Sequence, residues 1–230
     1  MTFLANAFWN ALGLVFGFDP EVYFVVWTSL MVAGVSTIVA SIIGTPVGLI
    51  LALTEFRGKS AVLVVLNTLM ALPTVVVGLF FYGLLSRQGP MGGAGLLYTP
   101  AGIALGLSVL ALPTVVNLVV AALRHLDPRL FLTVKLLGAN AIQQGWMILK
   151  EGRYAVLAAI VVAFGRVISE VGIAMMLGGN IRGYTRTMTT AIALETSKGE
   201  FALGLALGMV LLGVALMVNL LLFLLQRGRS

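Results

Sequence analysis

The sequence predicts an all-α integral membrane protein with about five transmembrane helices. Three observations predict it. Of its 230 residues, 60% are hydrophobic and only 10% are charged. Several apolar runs exceed the roughly 20 residues that cross a bilayer. The basic residues gather at the ends of those runs. A soluble domain usually carries about 25% charged residues. This chain lacks the polar surface to cover a water-soluble globule.

The elements follow in order. Residues 1–20 read as an N-terminal interfacial segment. Positions 1–18 are apolar with no Lys or Arg, and no cleavage pattern follows, so a cleavable signal peptide is not expected. Trp9 is placed near the headgroups. Residues 21–226 form the transmembrane domain. Its spans are expected at Tyr23–Leu53, Ala61–Leu85, Ala101–Leu123, Tyr154–Leu177 and Phe201–Leu225. The first is long for a straight crossing, and Pro46 is its candidate bend point.

Charge sets the orientation. With the 54–60 loop inside, the cytoplasmic face holds Arg57, Lys59, Arg124, Arg129, Lys135, Lys150, Arg153, Arg227 and Arg229. The outer face holds Arg87, Arg182, Arg186 and Lys198, and Arg166 lies within the fourth span. The excess of basic residues belongs inside. The +6 net charge is therefore a membrane signature. No basic–aromatic interleaving supports nucleic acid as a partner.

Several chemistries are excluded. Cysteine is absent and His125 is the single histidine, so disulfides and thiolate or multi-histidine metal sites are not expected. The chain has no GxxxxGK[ST] phosphate loop and no credible serine–histidine or paired-carboxylate arrangement. It is not read as an enzyme, and it needs no cofactor of its own.

Two features mark a path through the bundle. The hexapeptide ALPTVV occurs at Ala71–Val76 and at Ala111–Val116. Pro73 with Thr74, and Pro113 with Thr114, are candidate pathway residues, since proline frees a carbonyl and threonine can occupy it or line a cavity. Chance repetition in a Leu/Val/Ala-rich chain is the alternative. Arg166 and Glu170 stand four apart, on one helical face within reach of each other. Ionisable groups in a membrane span face a partner, water or the bundle interior. They read either as an ion pair that locks packing or as a gate latch. Small-residue spacings at Gly44–Gly48 and Gly204–Gly208 permit close helix approach.

Outside the membrane, the 178–199 loop carries Arg182, Thr185, Arg186 and Thr187. Hydroxyls and guanidinium groups suit a tetrahedral oxyanion, so these four form a candidate vestibule. Contact with another protein is the alternative. Glu195 and Glu200 would repel an anion and read as contacts to a docking protein.

The 124–153 segment is too polar to cross the membrane and too apolar for a tether. Asp127 with Pro128 forms an N-cap and first-turn pair. Two short helices are expected, separated near Gly138–Asn140, with Gly138 permitting the turn. Leu137-Gly138-Ala139, then Ile142, then Met147-Ile148-Leu149 resemble the coupling segment of type I ABC importer permeases. Two departures stand out. Leu132-Thr133-Val134 replaces the family's Glu-Ala-Ala, and Lys150-Glu151-Gly152-Arg153 lacks its prolines. Phe164-Gly165-Arg166 with Glu170-Val171-Gly172 resembles the molybdate and sulfate permeases. The Gly178–Arg186 run and Ala193-Leu194-Glu195-Thr196 resemble the tungstate type more specifically. The resemblance covers about residues 20–225.

That resemblance implies a multi-pass permease of the cytoplasmic (inner) membrane that imports tungstate. Molybdate, sulfate and an ATP-independent secondary transporter are the alternatives. It implies a homodimer whose coupling residues, Leu137, Gly138, Ala139, Asn140 and Ile142, dock on a separate ATPase dimer that binds ATP and magnesium. It also implies an extracytoplasmic tungstate-binding protein.

Overall fold

A computed structural model describes residues 2–227, except 125, 128, 131, 132, 134 and 135. His125, Pro128, Leu132 and Val134 therefore lie outside the described residues. The helices are α1 (Thr2–Phe16), α2 (Pro20–Leu53), α3 (Lys59–Met70), α4 (Thr74–Leu85), α5 (Pro100–Arg124), α6 (Ala141–Glu151), α7 (Arg153–Ile168), α8 (Gly172–Gly178), α9 (Met188–Lys198) and α10 (Phe201–Arg227). No strand occurs among the described residues.

Three helices are long and apolar enough to cross a bilayer: α2, α5 and α10. Two expected spans are instead broken. The α3–α4 pair bends by 92° and the α7–α8 pair by 60°. Counting each bent pair as one span gives five.

Asp19 starts α2 by accepting the amides of Glu21 and Val22, with Pro20 in the first turn. The helix then continues through Pro46 as a single element to Leu53. Its polarity is inverted relative to a soluble helix. Trp27, Met31, Ile38 and Ile42 point outward, while Thr28, Ser29, Ser36 and Thr37 are buried. Each of these hydroxyls donates to the carbonyl four residues earlier, so none needs water inside the membrane.

The most extensive helix contact joins α2 to α5. Small residues make it possible. A β-carbon on Gly44 would stand 2.9 Å from a Val115 methyl, and one on Gly48 would stand 2.8 Å from Val119 Cβ. The other spacing is not used this way, since space is open at Gly208. Gly48→Leu is expected to lower stability by ~1–3 kcal/mol through overpacking. Thermal unfolding of the detergent-purified protein checks this, with Gly208→Leu as the near-neutral control.

α5 is the central rod. Its Ile103, Ala111, Val115, Val119 and Leu123 are fully buried, against α2, α3, α7 and α8. The ALPTVV copies meet different fates. Pro113 sits inside the unbroken α5. Pro73 is extended (φ −60°, ψ 121°) and caps α4. Neighbours surround α5 and hold it straight despite the lost hydrogen bond. The more exposed α3–α4 hairpin breaks where proline disfavours helix in the preceding residue. The N-terminal α1 packs on α10 through buried Ala7 and Ala11 and leaves Trp9 exposed.

Candidate translocation site

The two broken spans meet at their breaks. A β-carbon on Gly172, the first residue of α8, would lie 3.0 Å from both Thr74 Oγ1 and Val75 Cγ2 at the start of α4. Arg166 and Glu170 flank this crossing, yet no hydrogen bond or ion pair joins them among the described residues. The expected mutual pair is replaced by two separate contacts. Arg166 reaches across to donate to the Met70 carbonyl at the end of α3, at 2.6 Å. Glu170 Oε1 accepts the amides of Gly172 (2.8 Å) and Ile173 (3.4 Å) at the start of α8.

The reason is geometric. α7 ends at Ile168, so Glu170 no longer shares a helical face with Arg166. Breaking a span inside a membrane strands carbonyls at one end and amides at the other. A cation belongs at the carbonyl end and an anion at the amide end. The chain supplies one of each.

Two other residues reinforce the crossing: Thr189, read from the sequence as one of the loop threonines, and Asn117, which sequence reading had not singled out. Thr189 of α9 donates to the Glu170 carbonyl at 2.8 Å. Asn117 of α5 donates to the Met70 sulfur at 3.0 Å. An asparagine inside an apolar span was the available signal. The second proline–threonine pair does not bond to this cluster. Pro113 borders an apolar groove with Val47, Leu66 and Val76. Thr114 is buried, with no hydrogen-bond partner for its hydroxyl.

The expected vestibule is internally neutralised. Glu21, at the start of α2, pairs with Arg182 and with Arg186 (3.2 Å). Arg186 also pairs with Glu195 at 3.3 Å, and Lys198 with Glu195 at 3.1 Å. Arg186 is 7% exposed and Glu195 4%. Glu195 is therefore a buried structural anion and not a docking contact, whereas Glu200 is exposed. Thr185 accepts from the Ile181 amide and donates to Gly178. Thr187 and Thr190 form a capping box at the start of α9. Ser29 of α2 accepts the Met188 amide at 2.7 Å. This loop is a braced outer wall joining α2 to α9.

At the opposite end lies the 124–153 segment. Gly138 adopts φ +73°, as its place between helices demanded. Asn140 opens α6 with a capping box, its side chain accepting the Gln143 amide while Gln143 accepts the Asn140 amide. Leu137 and Ile142 are apolar, yet 74% and 84% exposed. Ala139 lies between them and accepts from Gln144.

Residues 44–230 match the family described as "Binding-protein-dependent transport system inner membrane component". The chain belongs to that family. It is a type I ABC importer permease, of the kind that moves molybdate, tungstate or sulfate. Its fold resembles a solved structure titled "Inward facing conformations of the MetNI methionine ABC transporter". The TM-score is 0.71 at 18% identity, over 92% of this chain and 99% of that one. Among curated relatives, it is 38% identical to the "Tungstate uptake system permease protein TupB" of Campylobacter jejuni subsp. jejuni, over 99% of this chain and 95% of that protein. It is 35% identical to the TupB of Peptoclostridium acidaminophilum, over 98% and 99%. The permease is thus the non-catalytic membrane subunit of an oxyanion importer. In this architecture ATP and magnesium bind a separate ATPase.

Proposed function

We propose that this permease imports tungstate as a homodimer. An ATPase pair grips Leu137, Gly138, Ala139, Asn140 and Ile142, and an extracytoplasmic tungstate-binding protein loads the outer side. The observation that carries the coupling is the lever itself. Exposed apolar side chains flank a left-handed glycine at the end of a capped helix. Exposed apolar side chains gathered on an aqueous face favour contact with another protein. The tungstate assignment is supported by near full-length similarity to two tungstate permeases.

The crossing of the broken spans serves as the gate. Arg166 holds the end of α3, Glu170 holds the start of α8, and Pro73 and Thr74 form the hinge of the first break. Turning the lever at α6 moves α7 directly, since one residue, Gly152, separates them. With α7 moves Arg166. The braced loop of Arg182, Thr185, Arg186 and Thr187 frames the outer mouth, its guanidinium groups holding Glu21 and Glu195. Pro113 and Thr114 belong to the rod against which the gate closes.

The test is uptake of nanomolar tungstate by cells expressing the permease with its ATPase and binding protein, competed by molybdate or sulfate. Uptake that resists excess molybdate is expected. Equal competition by molybdate would move the assignment to a general oxyanion importer. Full uptake without the ATPase would favour a secondary transporter.

A further inference from the structure

On the face opposite the coupling segment, the turn between α4 and α5 encloses a hollow of about 730 Å3. Tyr82, Leu85, Arg87, Gln88, Leu97 and Tyr98 define it. Three observations bear on it.

The first is charge. Arg182, Arg186 and Lys198 all sit on carboxylates. Arg87 is exposed and makes no ion pair or side-chain hydrogen bond among the described residues. No Asp or Glu occurs between Glu55 and Asp127, and none borders the hollow. Among the described residues the cation therefore has no partner.

The second is strain. Tyr98 holds φ +62°, a region that costs an L-residue roughly 1–2 kcal/mol. Its amide donates to the Leu177 carbonyl at 2.7 Å. Its ring lies over Gly179, where a β-carbon would come within 2.8 Å of it. Gly179 itself holds φ +67°. One unfavourable backbone conformation, at Tyr98, thus keeps an aromatic ring at the hollow beside a glycine that leaves room for it, a pattern that points to function.

The third is donor chemistry. Tyr98 donates its phenolic proton to the Tyr82 oxygen at 3.3 Å. Among the described residues the Tyr82 hydroxyl proton then has no acceptor, so it can donate outward. The hydrogen bond to Tyr82, with burial, pushes Tyr98 above the usual phenol range, so it stays protonated at neutral pH.

Size decides the occupant. The hollow holds more than twenty times the ~30 Å3 share of one water molecule. A lone tetrahedral anion would leave most of it, and the apolar walls of Leu85 and Leu97, without contacts. A protein surface that carries the carboxylate covers both kinds of wall.

We propose that the hollow seats an acidic side chain of the extracytoplasmic binding protein, with its carboxylate on Arg87 and the Tyr82 hydroxyl. This rests on the binding-protein-dependent reading above. The test uses the permease–ATPase assembly in proteoliposomes. ATP hydrolysis is followed against the concentration of tungstate-loaded binding protein. For Arg87→Glu, the half-saturating concentration rises about tenfold or more with the maximal rate unchanged, because interfacial charge reversal acts on encounter and docking. Arg87→Lys stays within about threefold, and the gap between Arg87→Glu and wild type narrows as salt screens the contact. Arg87→Gln falls between the two. An unchanged half-saturation in Arg87→Glu and Arg87→Gln overturns the proposal. So does a shift in tungstate dependence at saturating binding protein, which would make the free anion the occupant. A wild-type assembly that ignores the binding protein would instead overturn the binding-protein reading itself.

Discussion

Neutralising Arg166 and Glu170 together is expected to cost the sum of the two separate losses. Each charge serves a different broken helix end, and a charged hydrogen bond is worth roughly 1.5–3 kcal/mol. Arg166→Met and Glu170→Gln should each slow uptake about tenfold or more, with Arg166→Lys in between. In a double-mutant cycle, groups that share no contact add to within about 0.5 kcal/mol. Exchanging the charges, Arg166→Glu with Glu170→Arg, should abolish uptake. It would place an anion on the Met70 carbonyl and a cation on the α8 amides. A direct ion pair predicts the reverse: strong coupling and rescue by the exchange. Uptake by reconstituted assemblies decides between them, normalised to protein in the membrane. A swapped variant with wild-type uptake would sink the two-cap account.

The second large effect is expected at Gly138. Valine there must hold φ near +73°, where a β-branched residue is a genuine outlier. Asparagine tolerates that region several-fold better. Gly138→Val should uncouple the importer, with uptake and binding-protein-stimulated ATP hydrolysis falling about tenfold or more. Gly138→Asn should keep most of both. Nothing lies within 4 Å of a β-carbon at this position, so packing does not change. The strain of the left-handed valine, about 1–3 kcal/mol, should lower the unfolding temperature of the purified permease by only a few degrees. Equal activity of Gly138→Val and wild type would show that the turn does not transmit force. A large drop in unfolding temperature would make the defect one of folding.

What the sequence made legible follows from what hydropathy measures. It reports depth in the bilayer, so the five apolar runs were found close to their true positions. It is blind to backbone direction. The runs Ala61–Leu85 and Tyr154–Leu177 stay apolar through their breaks, and nothing in them announced bends of 92° and 60°. Pro73 did signal its break, but Pro113 sends the same signal from the same hexapeptide inside an unbroken helix. Burial separates the two cases, since Pro113 is buried and Pro73 exposed. Arg166 and Glu170 stood out because charge is costly in a span. Their spacing suggested a pair because it assumed a continuous helix. Glu21 meets Arg182 and Arg186 across more than 160 positions, a distance at which local pattern says nothing. The break near Gly138–Asn140 was readable because turn chemistry is local.

The unbroken course of α5 has a mechanical consequence. Twenty-five residues without a break make a strut of about 37 Å, running from the Tyr98 hollow to the coupling segment. Its neighbours α3–α4 and α7–α8 are articulated, so they absorb rotation at their joints. The strut has no joint in which to lose it. A 10° tilt about one end displaces the other by about 6 Å for a rod of that length. On the gating proposed above, two jointed arms would work against one stiff member that carries displacement from face to face.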